Sequence, residues 1–191
     1  MTAYGLGASS VPATGITARA AATRVTYRIP SGSMLPTLKI GQLVTVDFRA
    51  YRIRRPRVGD IVLFHPASGA DPAKVLCGAP SEGLKKTSGE FPRPCGVPTP
   101  RASRQKFVKR VVGLPGDRIA IVNGRVIRNG RRQDEPYIRA CPGFPICNFR
   151  RPIVIPRGDY FMLGDNRGAS DDSRFWGPVH RSWILGKVAQ R

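Results

Sequence analysis

The 191-residue chain lacks any run of about twenty consecutive apolar residues, the length a membrane-crossing helix requires. Acidic side chains are scarce, with 12 Asp+Glu against 32 Lys+Arg. Histidine is scarcer still: His65 and His180 are the only two, so a histidine-based catalytic triad has little to draw on. None of the four cysteines has a partner at the two-residue gap of zinc sites, and none has a neighbouring histidine, which excludes a zinc site of the usual spacing. No heptad pattern or internal repeat is present, so coiled coils and solenoids are excluded. Residues 1–23 lack the basic start and long apolar stretch of a secretory leader. Either the protein is soluble, or a membrane anchor lies upstream of these residues.

What the chain has in excess is positive charge, +20 in all. Such a surface attracts polyanions, and both nucleic acid and an anionic lipid layer fit it, as does a merely solvated arginine-rich surface. Eighteen Pro and 21 Gly are spread between short apolar runs, a pattern of strands and turns. RVTYRIP alternates into a half-buried strand ending at Pro30. Residues 42–48 and 60–65 form two further strands joined by the basic connection YRIRRPRVG. Residues 66–104 are proline-rich and aperiodic, and read as a surface excursion, a long hairpin tied by a disulfide. KFVKRVVGL resumes the strand pattern, and Asn123-Gly124 between apolar runs marks a hairpin. RPIVIP and DYFML give two more strands, and the tail SWILGKVAQR is either a last strand or a short helix. The expected fold is all-β.

The cysteines fall as two local pairs, Cys77 with Cys95 and Cys141 with Cys147, each in a loop-like segment. Even-numbered loop cysteines suit an oxidising compartment. Four cysteines allow three pairings, and local pairing is a preference among them.

The densest chemical signal is IPSGSMLPTL at 29–38. Gly32 beside Ser33 permits a sharp turn that leaves the hydroxyl exposed. A serine nucleophile needs a base, and a lysine serves when burial keeps it neutral. Lys109, within the apolar run FVKRVV, meets that requirement better than any other lysine. On one strand face it sits with Phe107 and Val111, which would strip water from the ammonium. The same alternation puts Arg110 between Val108 and Val112, so periodicity leaves the choice of face open. Arginine cannot act as a base at any accessible pH.

Four strings in order, PSGSMLPTL, GDIVLFHP, KRVVGLPGD and GDNRGASDDSRFWGP, resemble the type I (leader) signal peptidases over roughly residues 24–187. The resemblance implies an antiparallel β core over 24–118 and 152–191, with residues 66–104 as an excursion within it. It also implies an inserted β subdomain over 119–151, leaving residues 1–23 as a poorly ordered segment or the remnant of an anchor linker. It assigns Ser33 as nucleophile, Lys109 as general base, and Ser31 with the Ser33 amide as the oxyanion hole. Ser170 would hydrogen-bond and orient the lysine. Asp172 with Arg174, and Asp165 with Arg110, would be supporting charged pairs, and Met162 would pack against the lysine's stem. Ile29, Pro30, Leu38 and Val108 would line shallow substrate pockets. Phe107 stands where the pattern often has tyrosine. The cysteine-bearing CPGFPIC resembles the family's loop, which supports pairing Cys141 with Cys147.

By the same resemblance the chemistry needs no metal or organic cofactor, the substrates are preprotein signal peptides with small residues before the cut, and no nucleic acid partner is expected. The expected location is the extracytoplasmic face of the cell membrane, in contact with anionic lipid. The family usually carries one or two N-terminal membrane helices, and this chain shows none. Rival readings are a conjugative-transfer peptidase with one dedicated substrate, and a basic nucleic-acid-binding β-barrel. A self-cleaving repressor would need a helix-turn-helix that residues 1–24 are too short and glycine-rich to supply.

Overall fold

The structure, a computed structural model, describes residues 23–70, 77 and 94–189. Expectations for residues 1–22 and for most of the 66–104 excursion therefore fall outside the described residues.

Eleven strands dominate the described residues: β1 (Arg24–Arg28), β2 (Leu43–Asp47), β3 (Ile61–Phe64), β4 (Phe107–Gly113), β5 (Arg118–Val122), β6 (Arg125–Arg128), β7 (Arg131–Arg132), β8 (Phe149–Val154), β9 (Asp159–Leu163), β10 (Val179–His180) and β11 (Ile184–Val188). Among the described residues helix is confined to short 3-10 turns and α1 (Ser173–Trp176), so the all-β expectation holds. The tail resolves as a strand, preceded by a 3-10 turn at Arg181–Trp183.

A seven-stranded sheet has the order β1-β2-β11-β3-β4-β9-β10, and a four-stranded sheet the order β7-β6-β5-β8. Every strand pair in both is antiparallel. Strands β3 and β9 are buried at every residue, as befits sheet interiors covered on both faces. At the sheet's edge the outcome differs from the sequence reading. β1 ends at Arg28 and is largely exposed, with Val25 at 37%, because β1 has only β2 beside it and neither face is fully covered. Arg24 and Arg28 on such an edge discourage pairing with another chain.

Strand β4 is where three apolar clusters meet. Val111 packs with Val62, Phe64, Met162 and Trp176, and Phe107 leans on the same cluster. Val108 leans instead on a cluster containing Ile29, Met34 and Leu63, while Val112 joins Ile119, Phe149 and Phe161 beneath the smaller sheet. Both faces of β4 are thus enclosed, and alternation alone could not choose between Lys109 and Arg110.

Strands β5 and β6 are joined by Asn123-Gly124 with φ of 50° and 78°, the left-handed pair that a two-residue hairpin turn requires. Asn129 and Gly130, at 53° and 78°, repeat the device between β6 and β7.

The excursion is closed at its base, where Ala67 bridges Ala102 and the Ser103 amide donates to the Pro66 carbonyl at 2.8 Å. Its returning limb does not lie loosely on the surface. Cys95, Thr99 and Ser103 are buried, and the Cys95 amide donates to the Arg174 carbonyl at 2.9 Å. Disulfides join Cys77 to Cys95 and Cys141 to Cys147, with Cα–Cα distances of 5.5 and 6.0 Å.

Thiol titration of the oxidised chain, unfolded without reductant, should find no free thiol; two or four reactive thiols would contradict these pairings.

Candidate active site

Strand β1 delivers the chain to Ser33. Reciprocal backbone bonds between Ile29 and the Gly41–Gln42 turn (2.8 and 2.9 Å) close the base of a loop, within which Gly32–Met34 forms one 3-10 turn. From the other side, the loop after β9 grips that turn. The Asn166 amide donates to the Ser33 carbonyl and its side-chain Nδ2 to the Gly32 carbonyl, both at 3.1 Å. Gly164 makes this approach feasible, since a Cβ there would collide with the Ser33 carbonyl oxygen and the Ser170 hydroxyl.

Lys109, 76 residues further along the chain than Ser33, reaches it across the sheet. Its Nζ donates to Ser33 Oγ at 2.7 Å, and the Ser31 hydroxyl donates to the same oxygen at 3.2 Å. Lys109 is only 4% exposed, and its Nζ lies 5.5 Å from the Phe107 ring centre. Burial pushes its amine down from the ordinary 10.5 to about 8, while Asp172 and Asp171 pull the other way. A buried amine so displaced is the kind of group that takes and returns a proton near neutral pH.

Behind this contact lie three buried ion pairs. Asp172 and Arg174 form a two-point fork at 2.8 and 3.0 Å, and Asp172 Oδ2 also accepts the Gly164 amide at 3.1 Å. Burial by itself raises a carboxylate, but the Arg174 guanidinium keeps Asp172 below its usual range, so it stays ionised beside the lysine. Arg174 further donates to the carbonyls of Ile146 (3.0 Å) and Ser170 (3.1 Å). On the other face of β4, Arg110 forks onto Asp165 at 2.8 and 2.7 Å and stacks 3.8 Å over the Tyr137 ring. Thr37, just past the serine turn, donates to Asp165 as well.

Two expected residues do not make the expected contacts. Ser170 is buried beside Gly164, and its hydroxyl makes no hydrogen bond, to Lys109 or otherwise, among the described residues. The Lys109 amine is directed at Ser33 instead, and the ion-pair scaffold uses the Ser170 carbonyl. Leu38 does not line the groove. Its amide folds back to the Met34 carbonyl at 2.9 Å, and its side chain is buried with Ile29 and Leu63. Ile29, Pro30 and Val108 do line the groove, joined by Met34, Leu63 and Phe107. Met162 shares the Lys109 face as the cross-strand partner of Val111.

The sequence reading missed Asn166 and the third ion pair. Arg167, wholly buried, donates to the carbonyls of Gly164 (2.9 Å) and Gly124, and to Glu135 Oε1 at 2.6 Å. Glu135 in turn accepts the Val126 amide at 2.9 Å, tying the site loop to the smaller sheet. The only sequence signal was the placement of Asn166 and Arg167 inside GDNRGASDDS. Nothing links them to a glutamate 32 residues away.

The resulting groove encloses about 760 Å³ and is walled mainly by apolar side chains, with Ser33 and Lys109 among its lining residues. Neither His65 nor His180 lines it. Among the described residues, no three His, Cys, Asp or Glu side chains gather to hold a metal.

The family model described as signal peptidase, peptidase S26, matches residues 5–191. The chain belongs to that family. The signal peptidase I of Leptolyngbya laminosa is 35% identical over 186 residues, covering 97% of this chain and 75% of that protein. Synechocystis sp. has a "Probable signal peptidase I-2" at 34% over 163 residues, 85% of this chain and 60% of that protein. Signal peptidase IB of Staphylococcus aureus is 31% identical over 180 residues, 86% of this chain and 75% of that protein. The crystal structure of a signal peptidase I from Enterococcus faecalis V583 has a TM-score of 0.46 at 23% identity, covering 72% of this chain and 99% of that chain. Membership of the signal peptidase family makes this chain a serine-type peptidase. No helix among its described residues is long and apolar enough to cross a membrane.

The depressed lysine has a consequence for stability. Below pH 8 the folded chain carries a buried cation, while the unfolded chain holds the same proton freely up to 10.5. The resulting destabilisation is about 3–4 kcal/mol, at about 1.4 kcal/mol per pH unit. It is complete below the folded value and fades as pH rises to the unfolded one. Lys109→Met should therefore raise unfolding free energy by about 1–3 kcal/mol at pH 7 in urea titrations, allowing for the lost hydrogen bond. That advantage should shrink between pH 8 and 10.5, and a variant no more stable than the parent would contradict the burial of a cation.

Proposed function

We propose that this chain cleaves N-terminal signal peptides from secreted preproteins after small residues, at the extracytoplasmic face of a membrane, with Ser33 as nucleophile and Lys109 as general base. The observation that carries the reading is the 2.7 Å contact between the Lys109 amine, buried and held near pH 8, and the Ser33 hydroxyl. In the neutral amine the lone pair takes the place of the donated N–H along the same line.

As Ser33 Oγ attacks the scissile carbonyl, its proton passes to Lys109 Nζ and the carbonyl electrons move to oxygen. The Ser31 hydroxyl and the Ser33 amide then stabilise that oxyanion. Collapse breaks the C–N bond, and the Lys109 ammonium returns the proton to the leaving amine. Water, deprotonated by the same lysine, hydrolyses the acyl-enzyme and frees Ser33. Asn166 holds the serine turn, and Asp172 with Arg174 fixes the loop behind it, so the reacting pair needs little rearrangement.

Ile29, Pro30 and Val108, with Met34, Leu63 and Phe107, supply the apolar walls that face the residues before the cut. Ile29, Met34 and Leu63 are buried, and a shallow wall backed by such fixed side chains excludes larger groups sterically, which favours Ala, Gly or Ser there. The basic surface suits contact with anionic lipid.

Peptides bearing an Ala-X-Ala site test the chemistry. Ser33→Ala and Lys109→Ala should each lower kcat by about 1,000-fold or more, and Ser31→Ala by about 100–1,000-fold. Since only the neutral amine acts as base, kcat/KM of the parent should climb with pH and level off above about 8. Either dyad variant cleaving at the parental rate would end this reading.

A further inference from the structure

The loop joining β2 to β3, YRIRRPRVG, has no part in the chemistry above. It forms one wall of a second cavity, of about 710 Å³, completed by Pro115, Gly116 and the turn before β9. Five guanidinium-bearing side chains line it: Arg52, Arg54, Arg55, Arg157 and Arg181. No Asp or Glu does. Arg52, Arg54, Arg55 and Arg157 are exposed and Arg181 is half-buried, and none of the five takes part in an ion pair among the described residues. Asp60, on the same loop, is already engaged by the Tyr51 hydroxyl at 2.8 Å and Lys187 at 2.6 Å.

Five like charges around one concavity raise the local positive potential, and a cleft focuses the field that draws an anion in. Arg181 is fixed in place, donating to the Tyr51 carbonyl at 2.6 Å with its guanidinium 5.6 Å from that ring. Arginine forks match the tetrahedral oxygens of phosphate better than any other side chain. We propose that this cavity binds a phosphate-bearing anion, either a soluble phosphate or the headgroup of an acidic phospholipid. Ile53, 98% exposed in the midst of the arginines, is an apolar side chain placed where a lipid headgroup's chains would begin.

The cavity and the catalytic groove lie at opposite ends of β4. Lys109 lines the groove, and the chain beyond Gly113 lines the cavity. An anion bound there leaves the substrate groove open, so this site is independent of the peptidase reading.

Two double variants test it: Arg54→Ser with Arg157→Ser in the cavity, and Arg118→Ser with Arg131→Ser, an equal loss of charge on the smaller sheet. Binding of inorganic phosphate is read by calorimetry, and binding to vesicles of phosphatidylglycerol or of phosphatidylcholine by flotation. The cavity pair should weaken phosphate or phosphatidylglycerol binding at least ten-fold, and the control pair less than two-fold. Binding of phosphatidylglycerol vesicles alone identifies a headgroup, and binding of inorganic phosphate a soluble source. Absence of both, or any smaller gap between the two pairs, overturns the proposal. Both double variants should cleave a soluble Ala-X-Ala peptide within two-fold of the parent, so failure here is distinguishable from failure of the peptidase reading.

Discussion

The arrangement of this protein turns on one unfavourable burial, a lysine amine taken out of water on an interior strand of a sheet. Alone, such a group would lower its charge or drag water inward. Here Val111, Met162 and Trp176 enclose its face of β4, and a serine hydroxyl carried on a distant turn meets its end. The energy spent on desolvation appears as basicity near neutral pH, which is the property a hydroxyl nucleophile needs beside it.

Keeping that contact requires the serine turn and the strand to stay in register, and buried ion pairs do this work. Asp172–Arg174 braces the loop carrying Gly164 and Asn166, Arg110–Asp165 ties β4 to the same loop, and Arg167–Glu135 ties it to the smaller sheet. Pairs of this kind add little net stability over an apolar core, but losing one partner strands a charge. Their contribution is position: one loop is held at three points, and it holds Ser33 in turn.

Much of the fold was legible because strands announce themselves by period and turns by glycine. DIVLFH, FVKRVV and DYFML became the interior strands, and Asn123-Gly124 became a hairpin. The exposed β1 edge was not legible, because alternation in RVTYRIP says nothing about whether a neighbour covers the strand. Within the site, Ser33 and Lys109 could be singled out by local chemistry, a small turn and a lysine among apolar neighbours. The pairing of Arg167 with Glu135, the grip of Asn166 and the turning of Leu38 into the core depend on how distant loops pack. No local pattern encodes that.

Part of the extreme positive charge, ambiguous in the sequence, is taken up in buried ion pairs, and five arginines outside those pairs line the cavity beside the β2–β3 loop. The catalytic claim stands apart from that surface and rests on the amine alone. Its most direct measurement is the titration of Lys109 itself, by NMR of a chain labelled at the lysine side chains, with Lys109→Met assigning the signal. The account predicts a midpoint near 8. A midpoint at the ordinary lysine value of 10.5 would mean that position 109 is a solvated cation, and the serine would have no base.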